Sequence, residues 1–168
     1  MAVSTEDVKK LREETGAGVM DAKRALDETD GNFEKAKAIL RERGIAAAAK
    51  RAERETGQGV VEAYIHNGGR IGVIVEVQCE TDFVARTDTF RQLAKDVAMQ
   101  VAAMNPMALT PEDVPAEHNG TAEENALLTQ TFIKDGSRTI QQLVQEVVSQ
   151  TGENVRIARF SRFELGGQ

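Results

Sequence analysis

Apolar positions recur at two different periods along this chain, and the change of period divides it. Over the first 44 residues they fall at helical spacing: Val8 and Leu11, then Ala22, Ala25 and Leu26, then Phe33, Ala36 and Leu40. Ser4 or Thr5 can cap the first helix, with Asp7 in its first turn. Thr15-Gly16-Ala17-Gly18 breaks it, since two glycines in three residues favour a tight reversal. The second helix spans about Val19 to Glu28, Asp30-Gly31-Asn32 ends it, and Gly44 is the expected C-terminal stop of the third. The pattern predicts a three-helix module over 1–44. Residues 45–56 follow, with Ile45, four alanines and Lys50-Arg51-Ala52-Glu53-Arg54-Glu55. They have high helix propensity and almost no large apolar groups, so they read as a helical linker or as a continuation of the third helix.

The period then becomes two. Val60 to His66 and Arg70 to Cys79 are rich in β-branched residues, and Asn67-Gly68-Gly69 between them is a hairpin signal. Ile71, Val73, Val75, Val77 and Cys79 share one face of the second strand, and Glu76, Gln78 and Glu80 share the other. A long amphipathic helix is expected from about Val84 to Met104, with Phe90, Leu93, Ala94, Val97, Ala98, Val101 and Ala102 inward. Pro106, Pro111 and Pro115 enforce irregular chain over about 105–125. A shorter helix around Thr139 to Val148 uses Ile140, Leu143, Val144 and Val147. Val155 to Leu165 reads as a third strand whose alternation slips near Arg159, the mark of a bulge. Residues 57–168 thus form an α+β core domain, a small antiparallel sheet of about three strands packed against helices.

Length and composition narrow the class. The 168 residues suit one average domain, or a small one joined to a slightly larger one, and 40% hydrophobic with 29% charged residues is ordinary for a folded chain. No apolar run approaches the roughly 20 residues that cross a bilayer, and Met-Ala-Val-Ser-Thr-Glu-Asp is no leader, so a cytoplasmic location is expected. Cys79 has no partner for a disulfide, and with His66 and His118 far apart no metal site is expected. The net charge of −6 is concentrated in one place: residues 1–95 and 134–168 together sum to zero, whereas 96–133 hold Asp96, Glu112, Asp113, Glu117, Glu123 and Glu124 with no Lys or Arg. Such a stretch repels phosphate, and aromatics are only 4% of the chain, so direct nucleic-acid binding is disfavoured.

Catalytic chemistry is hard to find. No Gly precedes a Lys, so there is no phosphate-binding P-loop, and no glycines take the dinucleotide spacing. Cys79 lies in an apolar strand without a neighbouring base, His66 sits beside a turn, and Glu53/Glu55 and Glu123/Glu124 look solvated. Neither an enzyme nor a cofactor is expected. One segment, Cys79-Glu80-Thr81-Asp82-Phe83-Val84-Ala85-Arg86, resists a purely structural explanation. Thr81 can cap the helix and Asp82 complement its dipole, yet Phe83 reads either as core, seven residues before Phe90, or as a projecting partner anchor. Met20 poses the same question beside the Thr15–Gly18 turn.

Leu11-Arg12-Glu13-Glu14-Thr15-Gly16-Ala17-Gly18-Val19-Met20-Asp21-Ala22-Lys23 closely resembles the N-terminal signature of the bacterial elongation factor Ts family. Gly72 through Arg86 resembles its second signature, and Gly152-Glu153-Asn154-Val155 through Gly166 its end. The resemblance covers nearly the whole chain. It implies a guanine-nucleotide exchange factor for elongation factor Tu, with a ubiquitin-associated-like N-terminal module. It assigns Arg12, Val19, Met20 and Lys23 to docking on the partner's nucleotide domain. It assigns Thr81, Asp82, Phe83 and Val84 to the segment that displaces the partner's magnesium ion, Phe83 being the wedge.

The chain departs from the family in two respects. Longer members carry two related core subdomains and a protruding coiled coil, whereas this chain has room for one core; a homodimer would supply the missing contacts, with the open face of the sheet as its candidate interface. Val19 stands where many members have methionine. Two other classes compete: a ubiquitin-associated-type adaptor acting through residues 1–44 alone, and an RNA-binding module using Arg156, Arg159 and Arg162 with Phe160 and Phe163.

Overall fold

A computed structural model describes residues 3–167; Met1, Ala2 and Gln168, and with them the outer limits of the two expected domains, lie outside the described residues. Helices α1 (Thr5–Thr15), α2 (Val19–Glu28) and α3 (Phe33–Arg51) open the chain. The Ser4 hydroxyl accepts from the Asp7 amide at 3.0 Å, and Gly16 closes α1 in the left-handed region at φ 66°. Val8, Leu11, Ala22, Ala25, Leu26, Ala36 and Leu40 form the helices' own core.

Gly44 does not end α3. The helix runs on to Arg51, so the expected linker is largely its continuation. An interior glycine costs about 1 kcal/mol relative to alanine; here the four alanines after Ile45 favour helix strongly enough to carry it through. Ala48, on the extension, packs against the larger core.

Strands β1 (Gln58–His66) and β2 (Ile71–Cys79) pair antiparallel. His66 faces Ile71, so four residues form the connection, and the positive φ angles fall on Gly68 and Gly69. The Asn-Gly step is therefore not a two-residue turn. Helix α4 (Asp82–Ala85) and helix α5 (Asp88–Met104) replace the single long helix expected from Val84. Thr87 separates them: its backbone is extended, its hydroxyl accepts from the Phe90 amide at 3.3 Å, and the same hydroxyl donates to the Val84 carbonyl at 2.8 Å. It closes one helix and opens the next.

The proline-broken stretch carries the short helix α6 (Ala122–Asn125). A small hairpin, β3 (Thr131–Phe132) with β4 (Asp135–Thr139), follows it and was not signalled by any apolar alternation. Helix α7 (Ile140–Thr151) and strand β5 (Val155–Glu164) complete the fold. The sheet order is β1-β2-β5, wholly antiparallel. Glu76 pairs with Arg159 and Val77 with Ile157, which leaves Ala158 as the extra residue of a bulge, one position from where the pattern slips.

One face of the sheet is dry. Val73, Val75, Val77, Cys79, Val155 and Ile157 meet Phe90, Leu93, Val97 and Val101 of α5 and Leu143 and Val147 of α7. Gln100 is fully buried among them and fully used, bonding Gln130, the Thr131 carbonyl and the Ile133 amide. Asp96 escapes the acidic surface altogether, pairing with Lys134 at 2.6 Å. The other face is open, with Val61, Ile65, Ile74 and Phe163 exposed. Ile65 and Phe163 both flank Gly72, whose missing side chain leaves Ile65 room to lie across it.

Candidate functional site

Of the described residues, Phe83 is the most open large apolar side chain, 80% exposed. Its surroundings account for that. Strand β2 ends at the buried Cys79, whose thiol donates to the Thr81 carbonyl at 3.1 Å. Thr81 is extended and caps α4, its hydroxyl accepting from the Val84 amide at 3.4 Å. Val84 and Ala85 turn inward and join the larger core. One turn of helix with Val84 and Ala85 inside points the two residues between the cap and Val84 outward, and the large apolar one of them is Phe83. Asp82 pairs with Arg86 at 2.8 Å along the outer side of the turn. Of the four residues expected here, Thr81, Asp82 and Phe83 lie at or near the surface; Val84 is core and anchors the turn from within.

The N-terminal group is also on the surface. Arg12 leaves the last turn of α1, Val19 and Met20 the first turn of α2, and Lys23 the next turn. Val19 is 53% and Met20 59% exposed, while Ala22, Ala25 and Leu26 occupy the buried side of the same helix. Among the described residues neither Arg12 nor Lys23 forms an ion pair. All four side chains are thus exposed, on helices whose connecting turn starts at the Gly16 cap.

The two groups sit on bodies that touch. Arg41 of α3 donates to Gln142 of α7 at 3.0 Å, and a side chain on Gly16 would overlap Gln150. Charged residues lining the groove along this contact pair with one another, Lys37 with Glu14 and Arg138 with Asp135 and Glu146.

Elsewhere the titratable groups serve structure. Burial pushes the Cys79 thiol up to about 11. Hydrogen bonds from the Ser137 hydroxyl and amide hold Asp135 down to about 2, and the Arg159 guanidinium holds Glu76 below the usual carboxylate range. No group of three or more His, Cys, Asp or Glu could hold a metal ion among the described residues, and no helix there is long and apolar enough to cross a membrane. The basic strand is engaged by its own neighbours: Arg159 on Glu76, Arg156 on Gln78, and Arg162 on Glu164 and the Ala102 carbonyl. Sequence reasoning missed the contacts of Glu153 and Asn154 with the Phe83 segment; their signal is Gly152, a left-handed helix stop, followed at once by two polar residues with no place in the strand pattern.

Comparison with known proteins gives these surfaces a setting. The family model for Elongation factor TS matches residues 21–120. Elongation factor Ts of Heliobacterium modesticaldum is 50% identical over 98% of this chain and 90% of its own length. That of Rubrobacter xylanophilus is 48% identical over 98% of this chain and all of its own. That alignment runs to 195 positions, so the relative holds positions with no counterpart in these 168 residues. The factor from Solidesulfovibrio magneticus is 47% identical, with 98% of each chain covered. At this identity and coverage the chain belongs to the elongation factor Ts family, and its role lies in translation elongation.

Proposed function

We propose that this chain is a guanine-nucleotide exchange factor for elongation factor Tu, acting in the cytoplasm without catalytic groups, cofactor or nucleic acid of its own. The observation that carries this is Phe83, a large apolar side chain held out in water by a turn whose neighbours are buried. An exposed phenylalanine forgoes roughly 1.5–3 kcal/mol of burial. A partner that covers it recovers that energy only in the conformation offering a cleft for it.

The exchange step follows from linkage. The module of α1–α3 docks on the GTPase through Arg12, Val19, Met20 and Lys23. Phe83, with Thr81 and Asp82 beside it, then inserts where the partner holds magnesium and the GDP phosphates. Because the inserted state is incompatible with tight nucleotide, binding of this chain weakens GDP by the factor by which GDP weakens this chain. No nucleophile is required. The chain stabilises one state of another protein's site.

The open sheet face supports a homodimer. Val61, Ile65, Ile74 and Phe163 form an apolar patch in a chain with a single α+β core domain, and a second copy would bury it against itself. Light scattering on the wild type and on Ile74→Lys tests this: a dimer that the variant splits supports it, and an active wild-type monomer refutes it. The exchange reading is tested by release of fluorescent GDP from elongation factor Tu at fixed magnesium. Acceleration by the chain is expected; binding without acceleration would leave a docking protein only.

A further inference from the structure

The turn that presents Phe83 is held from outside by the polar corner between α7 and β5. Strand β2 ends at Cys79, opposite Val155, so the amides of Glu80 and Thr81 have no ladder partner. Glu153 supplies it. Its Oε2 accepts from the Glu80 amide at 3.1 Å and the Thr81 amide at 3.0 Å, and its Oε1 accepts from the Thr81 hydroxyl. The exchange is mutual, since Glu80 Oε1 accepts from the Asn154 amide at 2.6 Å. Asn154, only 5% exposed, reaches the other way and donates to the Ala52 and Arg54 carbonyls at 3.2 and 2.8 Å, where α3 runs out. Arg54 adds a contact to Glu80 at 3.5 Å. One corner therefore grips both the cap of the Phe83 turn and the end of the docking module's last helix.

We propose that Glu153 is a positioning residue for nucleotide exchange: it fixes the Thr81 cap, and so the direction of Phe83, while Asn154 ties that turn to the helix that carries the docking module. This rests on the exchange reading above. Thr81 alone could not do it. Its hydroxyl bond to Val84 is long, at 3.4 Å, and the hydroxyl is oriented by its own donation to Glu153. A misplacement on the order of 1 Å at a reacting site typically costs up to 100-fold in rate. Removing three charge-assisted hydrogen bonds from a one-turn helix permits displacement on that scale.

The test is GDP release from elongation factor Tu across a range of concentrations of the full chain, comparing Glu153→Ala, Glu153→Gln, Phe83→Ala and the double variant. Glu153→Ala should lower the maximal rate about tenfold with less change in the half-saturating concentration, because docking is left intact. Glu153→Gln keeps an acceptor for the two amides and should recover most of the loss. The double variant should be no slower than Phe83→Ala alone, since the effect passes through Phe83. A folded Glu153→Ala with wild-type exchange, or a double variant slower by the product of the single losses, overturns the proposal. Amide hydrogen exchange at Glu80 and Thr81 reads the corner without the partner: faster exchange in Glu153→Ala is expected, and unchanged protection refutes it. If the wild type itself fails to release GDP, the exchange reading falls and the positioning role with it, while the amide measurement still reports the contact.

Discussion

Phe83 and Phe90 are seven residues apart and lie on opposite sides of the protein surface, Phe83 80% exposed and Phe90 fully buried. In one continuous helix that spacing would place both on the same stripe. Thr87 prevents it. By ending α4 and capping α5 it resets the helical phase, so the second phenylalanine enters the core and the first leaves it.

Replacing Thr87 by alanine should therefore destabilise the protein by about 1–2 kcal/mol, the usual cost of a lost N-cap. Denaturant unfolding measures this. Thr87→Ser, which keeps the hydroxyl, should recover most of it.

Met20→Ala should leave the fold alone and weaken the complex. The side chain is 59% exposed, and the residues that hold α2 in place are Ala22, Ala25 and Leu26. A loss of about 1–2 kcal/mol, roughly tenfold in Kd, is expected if Met20 is an interface anchor. Calorimetric titration against elongation factor Tu and a melting curve of the free variant separate binding from stability.

The pattern of the sequence carried most of this. All seven inward residues predicted between Phe90 and Ala102 are buried, as are Val73, Val75, Val77 and Cys79 on the strand. Those predictions rest on period alone, which burial enforces. Three features depended on local competition that a period does not record. Gly44 stays helical because the alanines after it favour helix. Thr87 breaks a helix although the apolar stripe continues, because its hydroxyl satisfies groups at both new ends. The hairpin of β3 and β4 is too short and polar to alternate visibly. At the site, the exposure of Phe83 and Met20 was left open by spacing and settled by geometry. The Glu153 corner joins residues 72 apart in sequence, which no local pattern brings together.

Cys79 provides a test by pH. Burial raises its thiol to about 11, against about 8.5 for an unfolded cysteine. The folded state thus holds the proton more tightly. Its stabilising contribution is complete below about pH 8.5 and declines as the pH rises toward 11. Unfolding curves of the wild type should lose stability over that window relative to Cys79→Ala. In the native protein at pH 8 the thiol should also resist maleimide, reacting on addition of denaturant.

Gly59 should not tolerate a side chain. Its φ is 150°, and a Cβ there would come within 2.1 Å of the Val77 carbonyl oxygen, a backbone atom that cannot rotate away. Gly59→Ala should cost several kcal/mol, at the upper end for single substitutions, through strain and loss of β1 pairing. A lowered melting temperature and loss of amide protection along β1 would register it.

Release of fluorescent GDP from elongation factor Tu, with wild-type chain and with Phe83→Ala at matched saturation, tests the central claim most directly. The exposed position of Phe83 means that its removal spares the fold, so a change in rate reports on the partner's site. Acceleration by the wild type, reduced roughly 30-fold in the variant, corresponds to about 2 kcal/mol and is the expected result. An equally fast, correctly folded Phe83→Ala would contradict it.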